Sequence, residues 1–115
     1  MKSKHLLFLV CVILSFILSG CNEKIECIIV SPYADEVFPR NEHIEVVIKA
    51  STDKGFIRQV VLTVDDEIVK SFTTTPYELR IPAYTLPSGE RILHAVAYSS
   101  GGYEASDVIL FTIKE

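Results

Sequence analysis

Tryptophan is absent from this 115-residue chain, and methionine occurs once. Without an indole, the largest flat ring for stacking on a sugar face is missing, which counts against a carbohydrate-binding platform. Cysteine is scarce, with Cys11, Cys21 and Cys27 the three present. So few cannot form the framework of bridges that staples many small exported domains. Cations are outnumbered, with 11 Lys and Arg against 15 Asp and Glu. Nucleic acid as a partner is excluded on that balance, because phosphate contacts need clustered Lys and Arg. No apolar run reaches the roughly 18 residues that a membrane-spanning helix needs. No stretch keeps a helical period for more than one turn. No serine sits in a nucleophile elbow or beside His and Asp at a recognisable spacing. Neither catalysis nor a cofactor is expected.

What is present begins with a leader. Lys2, Lys4 and His5 make a basic start, Leu6 to Leu18 is an apolar run of thirteen residues broken by Ser15, and Ser19 and Gly20 are small. A basic start, a short apolar core and small residues are the three parts of an export signal. Leu18-Ser19-Gly20-Cys21 then resembles the lipobox of bacterial lipoproteins. That resemblance implies cleavage after Gly20 and acylation of Cys21, giving a membrane partner through lipid on that cysteine. Each buried methylene contributes about 0.8 kcal/mol, and stable attachment takes more than one chain. Asn22 follows the cysteine where an aspartate resembles an inner-membrane retention signal, so the expected address is the outer membrane. Residues 21–26 are expected to be a short tether, and whether the domain faces the periplasm or the outside stays open.

Removal of residues 1–20 takes Lys2 and Lys4 with it, leaving 95 residues that carry nine basic and fifteen acidic side chains, a net charge of −6. Residues 27–115 are expected to form one domain. With Cys21 acylated, Cys27 has no partner in its own chain, and its place among Ile25 to Val30 predicts a buried thiol or the edge of a first strand.

The rest alternates short apolar runs with turn residues. Cys27 to Ser31 reads as a strand stopped by Pro32. His43 to Ala50 alternates with period two, placing Ile44, Val46, Ile48 and Ala50 on one face and His43, Glu45 and Lys49 on the other. Further strands are expected at Ile57 to Val64, Glu67 to Thr73, Pro76 to Ile81, Arg91 to Tyr98 and Ala105 to Ile113. Asp65-Asp66 occupies a tight hairpin turn, since aspartate tolerates the left-handed backbone that such turns require. Pro32 to Glu42 and Pro82 to Gly89 are expected to be loops.

About seven short strands predict an all-β, two-sheet sandwich. Its core is expected from Ile44, Val46, Ile48, Val60, Leu62, Val64, Leu79, Leu93, Ala95, Ala97, Phe111 and Ile113. At about 1.5–3 kcal/mol for each large apolar side chain, burial on this scale offsets chain entropy without bridges. Ala95 and Ala97 would let the facing sheet approach closely.

Val30 to Ile113 resembles bacterial immunoglobulin-like domains. The matching features are Ser31-Pro32, Asp53-Lys54-Gly55, Val64-Asp65-Asp66, Thr74-Thr75-Pro76-Tyr77, Gly89 ahead of Ala95-Val96-Ala97, and Gly102, in that order. Asp66 stands where the pattern usually has glycine, and Ser99 where an aspartate commonly follows the sixth strand; the latter weakens the case for a calcium site. The resemblance implies an immunoglobulin-like or fibronectin-III-like sandwich with a spacer or adhesive role, and transfers no catalytic residue.

His43-x-Glu45 could begin a metal site, but no further ligand pair accompanies it, so no metal is expected. Asp65-Asp66-Glu67 falls short of the six to eight oxygens that calcium takes. Tyr33, Phe38 and Tyr84 are the expected partner-contact residues. They fall in the Pro32–Glu42 and Pro82–Gly89 loops, which parity of strand direction brings to one end of the sandwich. The opposite end, with Asp53 to Gly55 and Ser99 to Tyr103, reads as shorter and more polar. The chain is therefore expected to be a lipid-anchored, non-catalytic module for interaction or spacing at the bacterial envelope. Its partner would be a protein or a glycan. The alternatives are a carbohydrate-contacting accessory lipoprotein of an uptake system and a small periplasmic inhibitor of a hydrolase.

Overall fold

The computed structural model describes residues 23–115. Cys21 and the leader lie outside the described residues. Among the described residues eight strands form: β1 Ile25–Ser31, β2 Val37–Phe38, β3 His43–Thr52, β4 Ile57–Val64, β5 Glu67–Phe72, β6 Tyr77–Pro82, β7 Gly89–Ser99 and β8 Glu104–Ile113. One turn of 3-10 helix, Ala83–Thr85, separates β6 from β7. Strands β1-β3-β6 make one sheet and β2-β8-β7-β4-β5 the other. Pairing is antiparallel throughout except between β2 and β8, which run parallel. This is the two-sheet, all-β sandwich that the period-two alternation predicts.

The core sits between the sheets. Ile44, Val46 and Ile48 of β3, Val60, Leu62 and Val64 of β4, and Leu93, Ala95 and Ala97 of β7 are all buried. Register pairs large with small: Leu62 faces Ala95 and Val60 faces Ala97. Ala95 gives β1 room to approach across the sandwich, so that the Cys27 thiol lies 3.7 Å from the Ala95 carbonyl. Leu79 is only partly buried and packs against the core from β6. Cys27, Ile29, Phe72, Tyr77, Ile81 and Ala83 add to the interior.

The β4–β5 hairpin turns through Asp65 (φ 50°) and Asp66 (φ 68°). Two successive positive φ values define the type I′ geometry that suits the twist of a two-residue hairpin. The turn is fastened as well as tight. Asp65 Oδ1 accepts the Ile92 N–H at 2.9 Å, Asp65 Oδ2 accepts from Arg91 at 2.9 Å, and the Asp65 N–H donates to the Ile92 carbonyl at 2.9 Å. A second clasp joins the sheets, where the Ile29 N–H donates to Asp107 Oδ2 at 2.8 Å.

Two expectations are corrected. Pro32 to Glu42 is not a plain end loop. After β1 the chain crosses to the other sheet and runs beside β8. Asp35 N–H donates to the Leu110 carbonyl at 2.7 Å, Thr112 N–H to the Glu36 carbonyl at 2.9 Å and Lys114 N–H to the Phe38 carbonyl at 2.9 Å. Nor is the domain's start a free tether up to Glu26, because β1 begins at Ile25 and the two residues before it are already fastened. Lys24 N–H donates to Asp53 Oδ1 at 2.6 Å, and Asp53 N–H returns to the Lys24 carbonyl at 3.0 Å. The Glu23 carboxylate accepts the Ser99 hydroxyl at 2.8 Å through Oε1 and the Thr52 hydroxyl through Oε2. Charge-assisted bonds of this kind are about twice as strong as neutral ones.

Candidate functional site

Of the three expected contact residues, two remain available. Tyr33 is 78% exposed and Tyr84 is 66% exposed. Phe38 is not available. It is 6% exposed and packs edge-on against Phe111 with ring centroids 6.0 Å apart. The reason is β2: pairing Val37 and Phe38 with Thr112 and Ile113 turns alternate side chains inward, and Phe38 is the inward one. Val37, beside it, is exposed. The two tyrosines also occupy different places. Tyr33 lies in the crossing segment, two residues before Asp35, whose N–H meets the Leu110 carbonyl at the sheet edge, whereas Tyr84 lies at the end of the sandwich just after β6. Leu110 is three residues short of β8's end, roughly 10 Å along a strand.

Two acidic residues singled out for chemistry, Glu45 and Asp65, have structural partners. Glu45 accepts from Arg80 Nε at 2.5 Å across the β3–β6 pairing. Asp65 holds the hairpin to β7. His94 stands on the outer face of the larger sheet, between Thr63 and Val108 in register. Among the described residues, no group of three or more His, Cys, Asp and Glu side chains converges as a metal site would require. Cys27 is a buried free thiol. Burial pushes its pKa up to about 11, and the Asp107 carboxylate adds to that shift. A thiol so raised stays protonated and is a poor nucleophile.

Two surfaces stand out instead. The outer face of the larger sheet carries an aliphatic band. Ile92 pairs with Leu110, His94 with Val108, Val61 with Val96, and Thr63 with Ile68. Ile68, Ile92, Val108 and Leu110 are exposed, and the band contains no Asp, Glu, Lys or Arg. Glu90 flanks it towards one end and Glu104 towards the other, each in register on β7 and β8. An uncharged apolar centre with a charged rim is the anatomy of a protein contact. An open groove of about 360 Å³ lies alongside the smaller sheet, against Val30, Val47, Ala50, Pro76 and Tyr77.

The other surface is the end of the sandwich at which the chain enters. Sequence alone marks this end as polar, yet Phe56 is 63% exposed there and Tyr103 is also exposed. Phe56 is displayed by a fixed loop. Its N–H donates to Ser100 Oγ at 3.2 Å and its carbonyl accepts the Ser100 N–H at 2.8 Å. Gly55 adopts φ +74°, and a Cβ there would stand 2.3 Å from Ser100 Oγ, so glycine is what allows the two loops to close. Ser99, fully buried, donates to Glu23 and accepts the Tyr103 N–H at 3.2 Å. The serine that departs from the family pattern is thus the post to which the entering chain is tied. A Phe beside a Gly turn gives no sequence signal of which way its ring will point, and that is why Phe56 escapes notice.

Known proteins supply the frame for these features. Residues 26–95 match the family model described as Bacterial Ig domain. The chain has no match among curated proteins. Among solved structures it is similar to the fibronectin(III)-like modules of Clostridium thermocellum CbhA, with a TM-score of 0.69 and 23% identity over 81% of this chain and 48% of that one. It is similar also to the endo-beta-1,4-mannanase of Thermotoga petrophila, with a TM-score of 0.65 and 14% identity over 80% of this chain and 20% of that one. The chain spans about half or less of the length of these structures, and at such identities they speak for the fold alone. With the family model covering most of the strands that build both sheets, the chain belongs to the bacterial Ig domain family.

Proposed function

We propose that this protein is a lipid-anchored, non-catalytic Ig-like module that serves interaction or spacing at the bacterial cell envelope, attached to the outer membrane through Cys21. The anchor reading is carried by Leu18-Ser19-Gly20-Cys21 directly after the apolar leader. The interaction reading is carried by the charge-free aliphatic band on the outer face of the larger sheet. An aliphatic surface favours a protein partner over a glycan, because sugar faces stack on broad aromatic rings and this band has no Phe, Tyr or Trp.

Metabolic labelling with a radioactive fatty acid tests the anchor. The wild-type chain should incorporate label and fractionate with membranes, and Cys21→Ser should do neither. Intact mass showing an unmodified N-terminus elsewhere would overturn the anchor. The interaction surface is tested by crosslinking in envelope preparations from a photoreactive residue placed at Val108. Protein adducts at Val108, absent from the same residue placed at Lys49 on the opposite sheet, are expected. Equal or no adducts at both positions would overturn this use of the band.

A further inference from the structure

The anchor and the entering chain are close together, and that closeness has a geometric consequence. Cys21 precedes Glu23 by two residues, so at most about 7 Å of extended chain separates them. Glu23 is itself lashed to Ser99 and Thr52, and Lys24 to Asp53. Acyl chains on Cys21 therefore bring one end of the sandwich, and no other, to the bilayer surface.

That end has the composition of a membrane-contacting surface. Phe56 presents most of its ring to solvent, and Tyr103 lies on the neighbouring loop. Tyrosine, with an apolar ring and a wet hydroxyl, gathers at the headgroup level of membranes, and phenylalanine is among the side chains that interfacial segments bury at the headgroup boundary. Lys24 and Lys54 belong to the segments at this end, with long aliphatic stems that can lie along lipid while the charge stays in water, and Arg58 lies at the start of β4 there with its guanidinium over the Tyr98 ring. Charge balance agrees. Residues 23–24, 53–58 and 100–104 hold three basic and three acidic side chains, so the excess of six negative charges on the mature chain lies elsewhere. An acidic protein thus places a neutral, aromatic end where anionic headgroups would repel the rest of it.

Building on the proposed anchoring at Cys21, we propose that the Asp53–Ile57 and Ser99–Glu104 loops rest on the bilayer, with Phe56 inserted among the lipid headgroups and Tyr103 at their level. The occupant of this surface is phospholipid. Phe56 is held out by a loop hydrogen-bonded through both of its own backbone groups, so its ring is presented to the membrane without first having to be ordered. The domain then stands upright on its anchor in one orientation.

The absence of tryptophan makes the test direct. Full-length protein is produced in a lipoprotein-processing bacterium as Phe56→Trp and, separately, as Tyr84→Trp at the far end. Both sites are exposed, so neither substitution disturbs the core. Each protein is reconstituted into vesicles of phosphatidylethanolamine and phosphatidylglycerol, and its lipidation is verified by intact mass. The Phe56→Trp emission should shift to shorter wavelength, be quenched by lipids brominated on their acyl chains and be shielded from acrylamide. The Tyr84→Trp emission should match that of the unlipidated protein. A lipidated, vesicle-bound protein whose Phe56→Trp emission remains open to acrylamide overturns this inference and leaves the anchor standing. Shielding of both positions equally means a domain lying on its side and also overturns it. A chain without lipid on Cys21 overturns the anchoring and this inference together. Shielding of Phe56→Trp in native envelopes but not in pure lipid vesicles would assign the surface to a protein neighbour and overturn the lipid assignment.

Discussion

Removing the Glu23 carboxylate tests whether the entering chain is truly part of the fold. In Glu23→Ala, the Ser99 hydroxyl loses its acceptor at 2.8 Å. Ser99 is 0% exposed with Glu23 in place, so its hydroxyl depends on that carboxylate for an acceptor. A buried donor left unpaired costs about 1–3 kcal/mol. The Thr52 hydroxyl loses the same partner, but it is less enclosed and also bonds with the Lys54 carbonyl at 3.1 Å, so its share is small. The expected loss is therefore roughly 2 kcal/mol, within that range. For a domain of this size each kcal/mol lowers Tm by about 4–8 °C. Urea unfolding followed by far-ultraviolet circular dichroism, on a soluble chain starting at Asn22, measures it. The midpoint should fall with the slope unchanged, because the change removes a contact without altering how much surface unfolding exposes. A cycle with Ser99→Ala isolates the pair, and the double variant should lose less than the two singles added together. A Glu23→Ala variant within about 0.5 kcal/mol of the parent, as for an ordinary surface change, would refute the fastening.

Other substitutions bear on the core, the thiol and the exposed rings. Leu62 is fully buried opposite Ala95, and Leu62→Ala should cost about 2–5 kcal/mol by chemical unfolding, since an alanine neighbour cannot fill the cavity. Cys27 has its pKa raised in the folded state from 9.0 to about 11, so folding favours the protonated thiol. Its contribution is fully present below pH 9 and is lost as pH rises towards 11, so Cys27→Ser should flatten that part of the stability profile measured by urea midpoints. In the native protein the thiol should resist alkylation at neutral pH and react once the chain is unfolded in urea. Tyr33→Ala and Tyr84→Ala should leave Tm nearly unchanged, because both rings are mostly in solvent; a fall of several degrees in either would show that the ring packs its loop onto the sandwich.

The strands were legible because their signal is local. Ile57 to Val64 alternates cleanly, and β4 spans those same residues. The hairpin at Asp65-Asp66 was legible for a similar reason, since adjacent residues tolerant of positive φ specify the turn. β2 was not legible. Two residues are too few to show a period, and its parallel pairing with β8 is fixed by residues 75 positions away. Phe38 was accordingly misplaced on the surface. The fastening of Glu23 was hidden for the same reason, since Ser99 lies 76 residues further on. A glutamate between Asn22 and Lys24 reads as solvated chain until the fold brings a buried hydroxyl to it. The aliphatic band was not legible as a surface: the period-two alternation that turns Val60, Leu62, Ala95 and Ala97 inward leaves Val61 and Val96 outward, but their continuity with Ile92, Leu110 and Ile68 depends on register across four strands.

The fastening also sets what kind of module this can be. Six free residues from Cys21 to Glu26 would let the domain wander about 20 Å from its lipid and present any side to the membrane. Two residues cannot. With β1 starting at Ile25 and Glu23 tied to Ser99, the proposed anchor at Cys21 would hold the ends of β3, β4, β7 and β8 nearest Ser99 over the membrane. The longest strand, β7, then rises from Ser99 to Gly89, roughly 33 Å at 3.3 Å per residue. Tyr84 and the Asp65-Asp66 turn stand at the top of that rise. The aliphatic band lies on the flank of that rise, which the proposed anchoring would turn away from the membrane plane. On the proposed anchoring, a partner using the band approaches sideways within the envelope, whereas a partner using Tyr84 descends from above. The charge-free centre of the band and the single ring at the top make the sideways approach the better supported of the two.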